Sequence, residues 1–257
     1  MKVISTYYTD IGLVKKTNQD ALLIKKAHSN LGQISLAVIC DGMGGLAKGE
    51  VASASVIKMF NDWFENDLIH LLENQNFSLT DIGNQFQRMI EKKNIKILEY
   101  GKQNNINLGT TVTAIFILDN QYVYYHVGDS RLYIINDQIT QLTHDQTLVQ
   151  REYDEGKITY EQLETDPRKS ILLQCVGASK IVEPEIKQGT LNVGDLVLLC
   201  TDGFRRVLSA QEIHDTLVDK KDVNSLNGGL RQIVQKNKQL GEEDNITGLV
   251  LLLERED

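Results

Sequence analysis

The residues of this chain that could do chemistry are acidic side chains at the ends of apolar runs. Asp41 closes the run 36–40 and is followed by Gly42, Met43, Gly44 and Gly45. Asp202 follows a second run, 195–200, and leads into Gly203. Asp129 follows Gly128 at the end of 122–127, Asp244 and Asn245 precede 246–253, and Asp20 precedes 21–24. A single Asp-Gly after a strand is an ordinary turn. Repeated across one chain it means more, because carboxylates gathered at one edge repel unless something positive lies between them. Carboxylates beside bare glycine backbone suit a hard divalent cation, which takes oxygen donors and needs room for a carbonyl or a water.

Other metals fit poorly. Cys40, Cys175 and Cys200 form no CxxC pair, and the five histidines form no HExxH. Zinc chemistry is therefore disfavoured, and magnesium or manganese is the expected ion. The 257 residues carry a formal net charge of −8 and show no basic stripe, which argues against nucleic acid as a partner. Apolar runs are too short to span a bilayer. The N-terminus has no signal-peptide core. A cytoplasmic protein without membrane association is the expectation.

The elements that must position these carboxylates can be read from periodicity. Strands are expected over 3–8, 21–26, 33–40, 112–118, 121–127, 132–135, 139–142, 170–176, 185–191, 195–200 and 246–253. Residues 28–32 read as a loop, and Thr9 to Gly12 as a turn. Helices are expected over 49–67, from a capping box at Ser78 to about 103, from a capping box at Ser209 to about 218, and over 226–240. The polar stretch 146–166, with Thr159 and Gln162 able to cap a short helix, is the candidate flap. No linker or repeat appears, so one domain over 1–257 is expected. Hairpins and paired helices predict an α+β fold with antiparallel sheets and helices outside them.

In order along the chain, the motifs resemble those of the metal-dependent type 2C protein phosphatases in their compact bacterial form. They are Thr9-Asp10-Ile11-Gly12 with Asn18-Gln19-Asp20; Cys40 to Gly45 with Gly49-Glu50-Val51-Ala52-Ser53; Gly109-Thr110-Thr111; Val127-Gly128-Asp129-Ser130-Arg131; Leu142-Thr143-His144-Asp145; Gly177; Cys200-Thr201-Asp202-Gly203; and Glu243-Asp244-Asn245-Ile246-Thr247. The resemblance covers nearly the whole chain. It implies a four-layer α-β-β-α sandwich of two mostly antiparallel sheets, with two Mn2+ or Mg2+ ions in a cleft at the sheet edges. Asp41 would bridge both ions, the Gly42 carbonyl would bind one, and Asp202 and Asp244 would bind the second. Asp20 would orient metal waters. A water activated between the two ions would attack phosphoserine or phosphothreonine in line. No side chain is then expected as a covalent nucleophile. Phosphorylated proteins would be the partners, plausible examples being a Ser/Thr kinase and its substrates, and the chain would be a monomer.

Three positions depart from the family pattern. Lys15 stands where an Arg usually grips the substrate phosphate, so it keeps a point charge without the bidentate fork. Gln19 replaces a frequent Glu. Arg206 stands where many bacterial relatives carry an Asp that helps hold a third metal with Asp145 and Asp202. A cation there opposes a third ion and could stand in for it electrostatically. Asp145 is left with a turn or helix-cap role as its alternative. Arg205 and Arg206 read as either substrate contacts or a solvated pair, Asp129 as either a turn or a site residue, and His126 as a packed core histidine. Two rival functions share the fold: a weakly active regulatory module and a phosphatase of a partner-switching regulator.

Overall fold

In the computed structural model, residues 1–43, 48–74 and 77–255 are described, so Gly44 and Gly45 of the glycine motif lie outside the described residues. One sheet holds, in spatial order, β1 (Lys2–Asp10), β10 (Ile246–Glu254), β9 (Leu196–Cys200), β6 (Arg131–Ile135) and β7 (Ile139–Gln141). The other holds β2 (Asp20–Ser29), β3 (Gly32–Asp41), β4 (Val112–Leu118), β5 (Gln121–Val127) and β8 (Glu185–Thr190). Every paired neighbour runs antiparallel.

Three apolar layers hold the sheets and helices together. Along β3, Leu36, Val38 and Cys40 pack beneath α1 (Gly49–Asn66) and α3 (Leu79–Asn104), while Ala37 and Ile39 face the opposite sheet. Successive strand residues point to opposite faces, and both faces of this strand are covered, so its sequence reads as an unbroken apolar run. The second sheet does the same with Leu198 and Val250 beneath α7 (Ala210–Leu217) and α8 (Val223–Gln239), and Leu199, Leu249 and Leu251 facing inward. The order is therefore helices, sheet, sheet, helices, as expected. Ring packing locks one helix pair: Phe86 meets Phe60 and Trp63 edge-on, each at 5.0 Å between centroids. No helix among the described residues is long and apolar enough to cross a membrane.

Several expectations change. The stretch 170–176 is not a strand. Its backbone is laced to two loops, Leu173 N donating to Gln146 O at 2.8 Å and Val176 N to Thr110 O at 3.0 Å, and only isolated bridges form. Residues 28–32 are not a long loop, because Ser29 pairs with Gly32 and the hairpin turns in between. Thr9 and Asp10 finish β1 rather than turning. Two short helices, α2 (Leu68–Leu72) and α6 (Asp202–Arg205), carry too few residues to show a period. The stretch 146–166 holds α4 (Leu148–Asp154) and α5 (Tyr160–Thr165), the latter opened by the Thr159–Gln162 capping box.

Phe86→Ala should lower unfolding free energy by about 3–5 kcal/mol, since it empties the point where α1, α3 and the sheet meet. Denaturant titration checks this, and a loss below about 1 kcal/mol would show that the layer repacks.

Candidate active site

The carboxylates converge where the two sheets end side by side. Asp20 opens β2, Asp41 closes β3, and the antiparallel register places them directly opposite each other. Asp202 starts α6 just past β9, and Asp244 sits just before β10. Thr201 and Thr247, both fully buried, reach across from that sheet and donate to Asp20 Oδ2 at 3.0 and 2.6 Å. A cleft of about 340 Å³ is lined by Lys15, Asp41, Met43, Asp129, Asp202, Arg206 and Asp244, with Thr111, Ser170 and Leu172.

Each carboxylate is fixed by its backbone. Asp41 N donates to Thr111 Oγ1 at 2.9 Å, and its carbonyl accepts from Thr110 Oγ1 and Thr111 N at 2.9 Å each. That is the use of the Gly109-Thr110-Thr111 motif. Gly42 must lack a side chain: a Cβ there would lie 2.5 Å from the Gly49 carbonyl carbon and oxygen. The turn carrying Asp244 is held by Asn245, whose Oδ1 accepts from Gln19 N at 2.8 Å and whose Nδ2 donates to Ile11 O and Thr17 O at 2.9 and 3.2 Å. Gly203 lets this turn approach, because a Cβ there would stand 2.2 Å from Asn245 O.

Burial is the largest cause of the charge state of the site, and mutual repulsion adds to it. Burial pushes the Asp41 carboxyl well above its ordinary value, and Asp20, Asp202, Asp129 and Asp244 push it further. Burial, with Asp202 and Asp244, raises Asp20 to about 7 against the two threonine hydrogen bonds. Asp129 also rises to about 7, through burial and Asp202, with Arg205 opposing. Burial acts upward on Asp244 too, but Lys15, the Asn245 N–H and Arg206 together hold this carboxyl below the usual range.

These donors fit a divalent cation. Asp20 Oδ1 and Asp202 Oδ1 are both buried without a hydrogen-bond partner among the described residues. Oxygens left so are costly unless something positive meets them. Among the described residues no three His, Cys, Asp or Glu side chains are drawn into a finished cation cage. Two basic side chains stand among the carboxylates instead. Lys15 Nζ lies 2.8 Å from Asp244 Oδ1, not free in the cleft as a phosphate ligand would be. Arg206 bonds to Asp202 Oδ2, to Asp244 Oδ2 at 3.4 Å and to Glu242 Oε1 at 3.1 Å.

The Arg pair is thus not solvated. Arg205 Nη2 donates to Asp129 O at 2.8 Å and to Asp145 Oδ2 at 3.2 Å. Asp145 is further gripped by Arg131, Nε to Oδ1 at 2.8 Å and Nη2 to Oδ2 at 2.7 Å. Burial acts upward on Asp145, but Arg205 and Arg131 hold its carboxyl low. Its oxygens tie β6 to α6. His126 is fully buried between Thr113 Oγ1 at 2.9 Å and the His144 carbonyl at 3.2 Å, as a core histidine should be. Sequence reasoning missed Glu242, Thr201 and Thr247 as supports. Thr201 and Thr247 stand inside the motifs around Asp202 and Asn245, but only the fold turns both hydroxyls onto Asp20, and Glu242 shows its role only in its burial.

The chain is similar to known proteins along nearly its whole length. The family model described as "Protein phosphatase 2C" matches residues 14–243. The serine/threonine phosphatase stp of Listeria innocua is 32% identical over 253 residues, covering 97% of this chain and 94% of that protein. The crystal structure of the serine/threonine phosphatase Stp1 from Staphylococcus aureus superposes with a TM-score of 0.86 at 29% identity, covering 99% of this chain and 96% of that one. The catalytic domain of the serine threonine protein phosphatase PstP, crystallised with 2 manganese ions, gives a TM-score of 0.78 at 28% identity, covering 98% and 99%.

Asp41→Asn should raise the thermal stability of chelator-treated protein, because a neutral amide escapes the burial and repulsion that lift the Asp41 carboxyl, an effect of ~1 kcal/mol. The same change should abolish the rise in melting temperature that Mn2+ gives the wild type. A variant less stable in EDTA than the wild type would refute repulsion at this pair.

Proposed function

The chain belongs to the protein phosphatase 2C family, and on that premise we propose that its cleft hydrolyses phosphoserine and phosphothreonine in proteins with two divalent cations bound among Asp41, Gly42, Asp202 and Asp244. The chain is a protein-serine/threonine phosphatase, a hydrolase of phosphoric monoesters that depends on divalent metal. The assignment of ligands rests on one observation: four carboxylates, Asp20, Asp41, Asp202 and Asp244, meet at one edge, and two of their buried oxygens have no partner among the described residues. Asp41, the Gly42 carbonyl, Asp202 and Asp244 are the groups that would hold the ions.

Such cations supply positive charge for the phosphoryl oxygens and lower the pKa of water, so that a nucleophile exists near neutral pH. The chain's own residues do the positioning. Asp20, held at one oxygen by Thr201 and Thr247, keeps the other for orienting water. Thr110 and Thr111 fix the strand end that presents Asp41. Met43 lines the cleft and can neither donate nor accept a proton, so it offers the leaving oxygen nothing. Lys15, 29% exposed, can swing from Asp244 to the substrate phosphate. A tight third cation is not part of the proposal, since Asp145 is already engaged by two guanidiniums and Arg206 occupies Asp202. The unit would be one catalytic domain over 1–257, monomeric and cytoplasmic, opposing a Ser/Thr kinase on shared phosphoproteins.

The test is phosphate release from a phosphothreonine peptide with EDTA, Mg2+ or Mn2+, for wild type and Asp202→Asn. Release should require metal and should fall by several orders of magnitude in the variant, which loses a ligand. Folded wild-type protein that releases nothing with either metal would move the assignment to a regulatory module.

A further inference from the structure

Arg206 is held from behind. Its Nη1 meets Glu242 Oε1 at 3.1 Å, and Glu242 is 2% exposed. The same Oε1 accepts from the backbone N–H groups of Glu243 and Asp244 at 3.0 and 2.9 Å, while Oε2 is buried without a partner among the described residues. Glu242 therefore needs the guanidinium: if Arg206 swung away, a buried carboxylate would be left without its counter-charge. On its front side the guanidinium takes Asp202 Oδ2 and Asp244 Oδ2. Among the described residues Asp202 Oδ1 stays unpartnered. Lys15, the other cation on Asp244, is half-buried, has no second carboxylate behind it among the described residues and can leave.

A fixed guanidinium on two carboxylates can act in either of two ways. It can orient them for a metal, as outer-shell partners do, and so tighten binding. Or it can take their charge and repel a second cation, and so weaken binding. Two features favour repulsion. Guanidinium and metal would use oxygens of the same two side chains, and Arg206 takes one oxygen from each. Withdrawal of Arg206 when a metal arrives would also strand the buried Glu242 carboxylate.

We propose that Arg206 is a resident cation that shares Asp202 and Asp244 with the second divalent ion, lowering its affinity and making the enzyme responsive to the free metal level. Arg206 is a positioning residue here, and the proposal rests on the metal assignment given above.

Calorimetric titration with Mn2+, alongside melting temperature in EDTA, separates the two roles. For Arg206→Met, the weaker Mn2+ site should tighten by about 10- to 100-fold, the scale on which outer-shell changes act. The melting temperature in EDTA should fall, and excess Mn2+ should restore it. Arg206→Lys, which keeps the charge, should bind Mn2+ within a few-fold of wild type. If Arg206→Met does not fold, Arg206→Gln keeps a hydrogen-bond donor for Glu242 without the charge and should show the same tightening. Folded variants that bind Mn2+ as wild type does, or more weakly, would overturn the proposal and make Arg206 an orienting residue. Wild-type protein that binds no Mn2+ would overturn the metal assignment beneath it.

Discussion

Repulsion between carboxylates at the meeting edge of two sheets is the constraint on which the rest of this structure depends. Asp20 and Asp41 face each other across an antiparallel ladder, a placement that like charges disfavour. Asp202, Asp244 and Asp129 raise the cost by adding their fields to Asp41. The fold tolerates this by making the surroundings rigid. Three apolar layers fix both sheets, and buried threonine hydroxyls bind the contested edge together. Stability is spent at the site and recovered in the layers, a distribution typical of functional sites.

The same constraint explains the density of support around Asp244. A turn carrying a charge toward other charges would drift outward if held only at its ends. Asn245 prevents this with three hydrogen bonds into the loop between β1 and β2. Glu242 adds two more from behind, to the backbone of the turn itself. The backbone is therefore positioned by neutral amides and a buried carboxylate. The charged groups are left to answer to whatever occupies the cleft.

The layers were legible in the sequence because they follow from periodicity. The continuous apolar runs of β3, β9 and β10 state that both faces are covered, and the stripes of α1 and α3 state which face lies inward. Capping boxes at Ser78, Thr159 and Ser209 marked three helix starts correctly. The convergence of acidic strand ends was legible too, because repulsion makes such repetition informative. What stayed hidden has no one-dimensional signature. The segment 170–176 is as apolar as a strand, but two loops rather than a neighbouring strand take its hydrogen bonds. Arg205 looks like a surface residue until Asp145 and the Asp129 carbonyl are seen around it. Glu242 reads as one more acid in an acidic turn, and only its burial reveals that it anchors Arg206.

Lys15 and Arg206 show why two substitutions of like sign need not have like consequences. Both place a cation against Asp244. An ammonium on a flexible stem at a partly exposed site gains little from its partner and loses little on leaving. A guanidinium wedged against a buried carboxylate is different, because its departure strands a charge. The first can be exchanged for substrate or solvent within the cleft. The second is part of the wall. How the acidic edge meets a divalent ion is thus governed less by how many positive charges the chain places there than by which of them has a reason to stay.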